Sequence, residues 1–317
     1  WVLRKDLRGD RAPARSLDRR EIARYVALAC LGTLASQGFL QGTQLLANAF
    51  AAPAEVGYFA AAVTLVAPMY FLPRALGLAL FPAMSRAHGA GDVAEVRRQA
   101  DVSTRALLAV LAPLFAAGIL LAREALTLFG SARYAPGATV LQLMLAATFC
   151  AVVAVAAVNS LSSGRHVHVP VLSAVVGCLT GLATVAVLGP SLGAAGVGLG
   201  YLVGTTVTAG GPVVVAWRLH RMPWRAPVLG ALGCVLAALA AGVALGRLDL
   251  AGAARTWLDI AAAVVAAGVA VAVLGRQLRA VLRDARRAGA HDARQAAAQP
   301  AATSTDPKLA AGENVTE

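Results

Sequence analysis

Apolar runs alternate with short polar segments along most of this chain. Eight runs stand out, at about 22–50, 57–81, 104–121, 137–161, 169–188, 194–217, 226–246 and 257–275. Each is about the length a helix needs to cross a bilayer, roughly 20 residues at 1.5 Å per residue. Gly and Pro recur inside the runs, which suits helices in lipid rather than strands. The pattern predicts an all-α integral membrane protein with about eight transmembrane helices. Pro68 and Pro73 should kink or break the second helix, and Pro82 should mark its end. Asp92 and Glu95 have the spacing of a capping box, so a short amphipathic helix is expected before the third run; Asp18 and Glu21 repeat the spacing before the first. Apolar residues at helical spacing up to Phe129, ended by Gly130 and Pro136, predict a short interfacial helix over 122–136. Gly196, Gly200 and Gly204 form a small-xxx-small pattern that lets two membrane helices approach closely.

The polar positions inside the runs are more informative than the apolar ones. Gln37, Gln41, Gln44 and Asn48 are spaced by four, three and four residues in the first run. On a helix they fall within about 60° of one another over about 16 Å of axis, and Thr33 extends the row. An unpaired amide in hydrocarbon costs on the order of a few kcal/mol, so this side must face protein or water. It serves either as glue between packed helices or as the wall of a water-filled cavity.

Charge adds an orientation. The chain is 58% hydrophobic and 14% charged, with a mean hydropathy of +0.68, whereas a soluble domain carries about 25% charged residues. The segments 1–21, 83–103, 162–168, 218–225 and 276–317, with Arg24 and Arg105, hold 23 of the 28 Lys and Arg. That side is expected to be cytoplasmic, with both termini inside. The net charge of +12 then sits beside the membrane, facing anionic lipid headgroups. There is no basic, aromatic-laced module to bind nucleic acid, so no nucleic-acid partner is expected. Cys30, Cys150, Cys178 and Cys234 all fall inside runs and read as small buried hydrophobes. The chain opens on Trp within a basic stretch, as a piece of a longer protein would.

Arg74 is the one charge well within a run, about 10 Å from its cytoplasmic end. It either snorkels to the interface or lies in a cavity and binds an anion, for which its planar fork suits phosphate. Tyr70 is one turn back on the same face. Thr148 and Asn159 share a face of the fourth run, with Ser163 beyond, and offer a second cavity wall or close packing. His166 and His168 lack a third ligand, so no metal site is expected. Glu55, Asp101, Glu124 and Asp259 all lie near the ends of runs; a coupling carboxylate, if one exists, is expected elsewhere.

The stretch VGYFAAAVTLVAPMYFLPRALGLALFPAMSRAHGAGDVAEVRR over 56–98 resembles the start of the C-terminal lobe of polysaccharide flippases. These belong to the multidrug/oligosaccharidyl-lipid/polysaccharide exporter superfamily. Leu80-Phe81-Pro82-Ala83-Met84-Ser85-Arg86, Leu128-Phe129-Gly130 through Tyr134-Ala135-Pro136 with Leu141-Gln142, and Gly193-Ala-Ala-Gly196 carry the likeness, which covers about 22–217. The resemblance implies two six-helix lobes around a central cavity. Here that means a cytoplasmic linker (1–21), one C-terminal lobe (22–217), an added two-helix hairpin (218–284) and a disordered tail (285–317), with the N-terminal lobe missing. It implies export of a polyprenyl-pyrophosphate-linked oligosaccharide across the plasma membrane, without a cofactor. The cavity wall would be Gln37, Gln41, Gln44, Asn48, Tyr70, Arg74, Thr148 and Asn159. The alternatives are a drug/cation antiporter of the same superfamily, a membrane glycosyltransferase or polymerase, and a non-transporting interaction partner.

Overall fold

The computed structural model describes residues 19–163, 166–220, 224–248 and 253–298. Among these the chain is 95% helical and has no strand. The helices are α1 (Arg19–Phe50), α2 (Pro53–Val66), α3 (Phe71–Gly89), α4 (Val93–Leu120), α5 (Ala122–Gly130), α6 (Ala138–Ser162), α7 (His168–His220), α8 (Arg225–Gly246) and α9 (Ala253–Ala298). Six segments are long and apolar enough to cross a membrane: Pro53–Gly89, Val93–Leu120, Ala132–Ser162, His168–Leu219, Arg225–Gly246 and Ala253–Arg276. The protein is therefore an all-α, multi-pass membrane protein. Helix α1 falls short of that hydropathy because its amides lower the mean.

The second run is broken where the prolines predict. A 3-10 turn, Ala67–Tyr70, separates α2 from α3 and contains Pro68. Pro73 falls in the first turn of α3, where its missing N–H has no intrahelical partner to lose. Pro82 does not end the helix as expected: α3 continues through it to Gly89. The third run also differs, since the amphipathic segment and the apolar run form one continuous helix, α4. Asp92 caps it by accepting from the Glu95 N–H at 2.9 Å. The Glu95 side chain does not complete a capping box; it pairs with Arg98 and Gln99 instead. At the far end of α4, α5 and a 3-10 turn over Ala132–Gly137 fill the place of the expected interfacial helix.

Helix α7 is too long to span once, at ~78 Å if straight. It folds back at Gly193, whose φ of 56° and ψ of −135° are not helical. The arms 168–192 and 194–220 pack antiparallel through their glycines. A Cβ at Gly177 would lie 2.5 Å from the Gly204 carbonyl oxygen, and one at Gly200 2.9 Å from that of Gly181. Glu55, at the start of α2, accepts from the Ala194 N–H at 3.1 Å and caps the second arm. Gly193→Ala is expected to cost about 1–2 kcal/mol, because an L-residue is strained at this φ and its Cβ would meet the Glu55 carboxylate. Thermal unfolding of the purified variant checks this.

The core forms around α6, most of whose residues are buried. Phe149 of α6 and Phe115 of α4 meet at 5.5 Å between ring centroids. Helix α1 runs parallel to the first arm of α7: Gly32 faces Val171, Gly42 faces Leu182, and Gly189 faces Phe50. The hairpin α8–α9 packs on α4, burying Ala231, Val235, Ala263 and Leu274. Its other face exposes Leu229, Leu236, Val264 and Val269, as a lipid-facing surface does. Helix α9 is helical as far as Ala298, beyond Arg287, near which the composition predicts an unfolded tail. Ala, Arg and Gln, which dominate that stretch, are among the strongest helix formers. The expected linker up to Asp18 and the tail after Ala298 lie outside the described residues. All four cysteines are free, and Cys30 is exposed rather than buried.

Candidate functional site

A cavity of about 640 Å³ opens between α1, the broken α2–α3 segment, α6 and both arms of α7. The break at Pro68 makes room for it: the 3-10 turn and the start of α3 bring Tyr70, Pro73, Arg74 and Gly77 to one wall. Tyr201 closes the opposite side. Its ring stacks on Phe39 of α1, with centroids 5.3 Å apart. Phe39 in turn occupies the space left by Gly181 and Gly204, so the glycine packing of α7 positions the tyrosine indirectly.

A hydrogen-bonded cluster links the walls. Tyr70 Oη lies 3.2 Å from Tyr201 Oη, and Thr148 Oγ1 donates to Tyr70 Oη at 3.2 Å. Three elements distant in sequence thus meet through hydroxyls in an apolar surround. Asn159, lower on α6, donates Nδ2 to the Val155 carbonyl at 2.9 Å and lines the cavity. Thr205 and Thr208 continue the polar lining from Tyr201 along the second arm of α7. Tyr70→Phe is expected to cost about 1 kcal/mol, since it removes the hydroxyl that both Tyr201 and Thr148 use. The thermal midpoint of that variant is the measurement.

Arg74 is exposed on the cavity wall. Among the described residues it makes no ion pair or hydrogen bond. A guanidinium so placed presents its fork to whatever enters, and no carboxylate lines the cavity beside it. The lining therefore offers one cation, several hydroxyls and two amides over an apolar floor. That chemistry suits an anion carried on a molecule with both hydroxyl-rich and apolar parts.

Five of the eight residues singled out from the sequence line this cavity: Gln37, Tyr70, Arg74, Thr148 and Asn159. The amide stripe does not stay on one wall. Gln37 is at the cavity, Gln44 is half-buried, and Gln41 and Asn48 are exposed. Asn48 donates to the Gln44 carbonyl on its own helix at 3.1 Å. Among the described residues none of the four amides hydrogen-bonds to another helix, so the packing-glue reading gains no contact. Sequence reasoning missed Tyr201. Tyr201, Thr205 and Thr208 share a helical face at intervals of four and three, the same spacing rule that exposed the amides. Compared with known proteins, the chain matches no family model and no curated protein.

Proposed function

We propose that this chain is the C-terminal lobe, with an added hairpin, of a flippase for a polyprenyl-pyrophosphate-linked oligosaccharide. The observation that carries the reading is the cavity at the break between α2 and α3. It sets Arg74, unpaired among the described residues, against Tyr70, Thr148, Asn159 and Gln37, a cation beside groups that donate to and accept from sugar hydroxyls. Counting α1, the broken α2–α3 segment, α4, α6, both arms of α7, α8 and α9 gives eight crossings, six for the lobe and two for the hairpin. Alternation of these crossings agrees with contacts at the two ends. Phe50 meets Gly189 and Gln142 meets Gly242 at one end, while Ser163 meets His88 at the other. The basic end is read as cytoplasmic, in the plasma membrane.

A second lobe, from the same or a separate chain, would face α1, where Gln41 and Asn48 stand exposed. Such a partner supplies the opposite wall that alternating access needs. A drug/cation antiporter is less well supported, because the cavity lining carries a cation and no acid. Disrupting the gene in its own cells tests the reading. Surface polysaccharide is expected to fall while lipid-linked precursor accumulates on the inner leaflet and dye efflux stays unchanged. Normal polysaccharide with reduced dye efflux would overturn it.

A further inference from the structure

Glu124 and Asp259 sit near the ends of apolar segments. The fold brings them together where α5 meets the start of α9, with Asp259 buried and Glu124 half-buried. Asp259 is 1% exposed. Its Oδ2 accepts from Arg255 Nε at 2.9 Å. Arg255, 5% exposed, also donates Nη1 to the carbonyls of Leu245 and Leu248. The ion pair is thus closed on the side facing α8.

The other side is open in a chemical sense. Asp259 Oδ1 and Glu124 Oε2 are both buried and neither has a donor among the described residues. The two carboxyl groups are in side-chain contact. A buried acceptor without a donor costs about 1–3 kcal/mol, and two adjoining carboxylates repel as well. Arg255 neutralises only one of them. A single proton placed between the two oxygens satisfies both acceptors and removes the second negative charge.

We propose that Glu124 and Asp259 form a proton-binding site, in which Glu124 donates to Asp259 Oδ1 and clasps the α8–α9 hairpin to α5. When the proton leaves to water, Glu124 becomes a carboxylate against Asp259 and the clasp loosens. The surroundings favour holding the proton. Burial pushes the Glu124 carboxyl above its ordinary value, and its contact with Asp259 adds to this. A hydrogen bond from its own backbone N–H, and to a smaller extent the charge of Arg123 on α5, oppose the effect. At this end α4, α6 and α8 bring Ile119, Gln142 and Gly242 together, none of them titratable. Arg247 and Arg133 are exposed, Tyr134 packs on Tyr58, and Glu55 is engaged by Ala194.

The sign of the pH dependence follows. A carboxyl whose value is raised on folding contributes fully below about pH 4.5, its ordinary value. That contribution is lost as pH rises through the raised value. The test is thermal unfolding of the whole chain in detergent across this range, native against Glu124→Gln, whose amide donates to Asp259 at every pH. The native midpoint is expected to fall with rising pH relative to that of Glu124→Gln, the pH dependence of every other group being common to both. Parallel profiles would overturn the site. If Glu124→Gln does not fold, infrared spectra of the native chain decide. A glutamic acid carbonyl band, assigned by isotope labelling, should persist above the pH at which exposed carboxyls ionise; its absence there overturns the proposal.

Discussion

On the proposed flippase reading, export through an Arg74→Ala variant is expected to fall about ten- to a hundredfold, with Arg74→Lys in between. The size follows from one charged hydrogen-bonding group, about 1.5–3 kcal/mol, lost from the bound anion. Lys keeps the charge but not the two-pronged fork that matches a phosphate. The structure makes the change clean. Arg74 is exposed on the cavity wall and, among the described residues, holds no other group in place. Its removal should therefore leave the fold intact, and protein abundance in the membrane is the control. Surface polysaccharide, normalised to that abundance, is the readout. Unchanged export would remove Arg74 from the mechanism.

Gly204→Val is expected to destabilise the protein by about 3 kcal/mol or more, the upper range for overpacking. A Cβ at this position would lie 2.6 Å from the Gly177 carbonyl oxygen, which is backbone and cannot rotate away, and would run into the Phe39 ring. Relief requires the two arms of α7 to separate and Phe39 to leave its place. Phe39 is what Tyr201 stacks on, so the cavity wall moves too. Gly210→Val, on the same arm but with nothing within 4 Å, is the control and should stay within about 1 kcal/mol of native. Thermal midpoints of the two purified variants check the contrast.

Most of the fold was legible because its signals are local. Apolar runs mark the long helices, Pro68 marks the break in the second, and Asp92 marks the start of α4. Gly196, Gly200 and Gly204 announced a close helix approach, and the approach is made by the preceding arm of the same hairpin. Where reading failed, the cause was tertiary. Pro82 looked like a terminator, yet one missing N–H leaves α3 intact to Gly89. The amides looked like one wall, but α1 carries only Gln37 to the cavity and leaves Gln41 and Asn48 outside. Asp259 lies near the end of a run, and only the packing of α9 on α4 and the place of α5 bury it. Tyr201 was overlooked because the face it shares with Thr205 and Thr208 reads as ordinary helix packing until Tyr70 is brought to its hydroxyl.

Direct binding tests the central claim most closely. The purified chain is titrated with a polyprenyl-pyrophosphate-linked oligosaccharide and with the same glycan on a neutral polyprenol. Tighter binding of the pyrophosphate form, with the difference abolished in Arg74→Ala, is the predicted result. Equal affinity for the two lipids, or a preference that survives the loss of Arg74, would contradict the account.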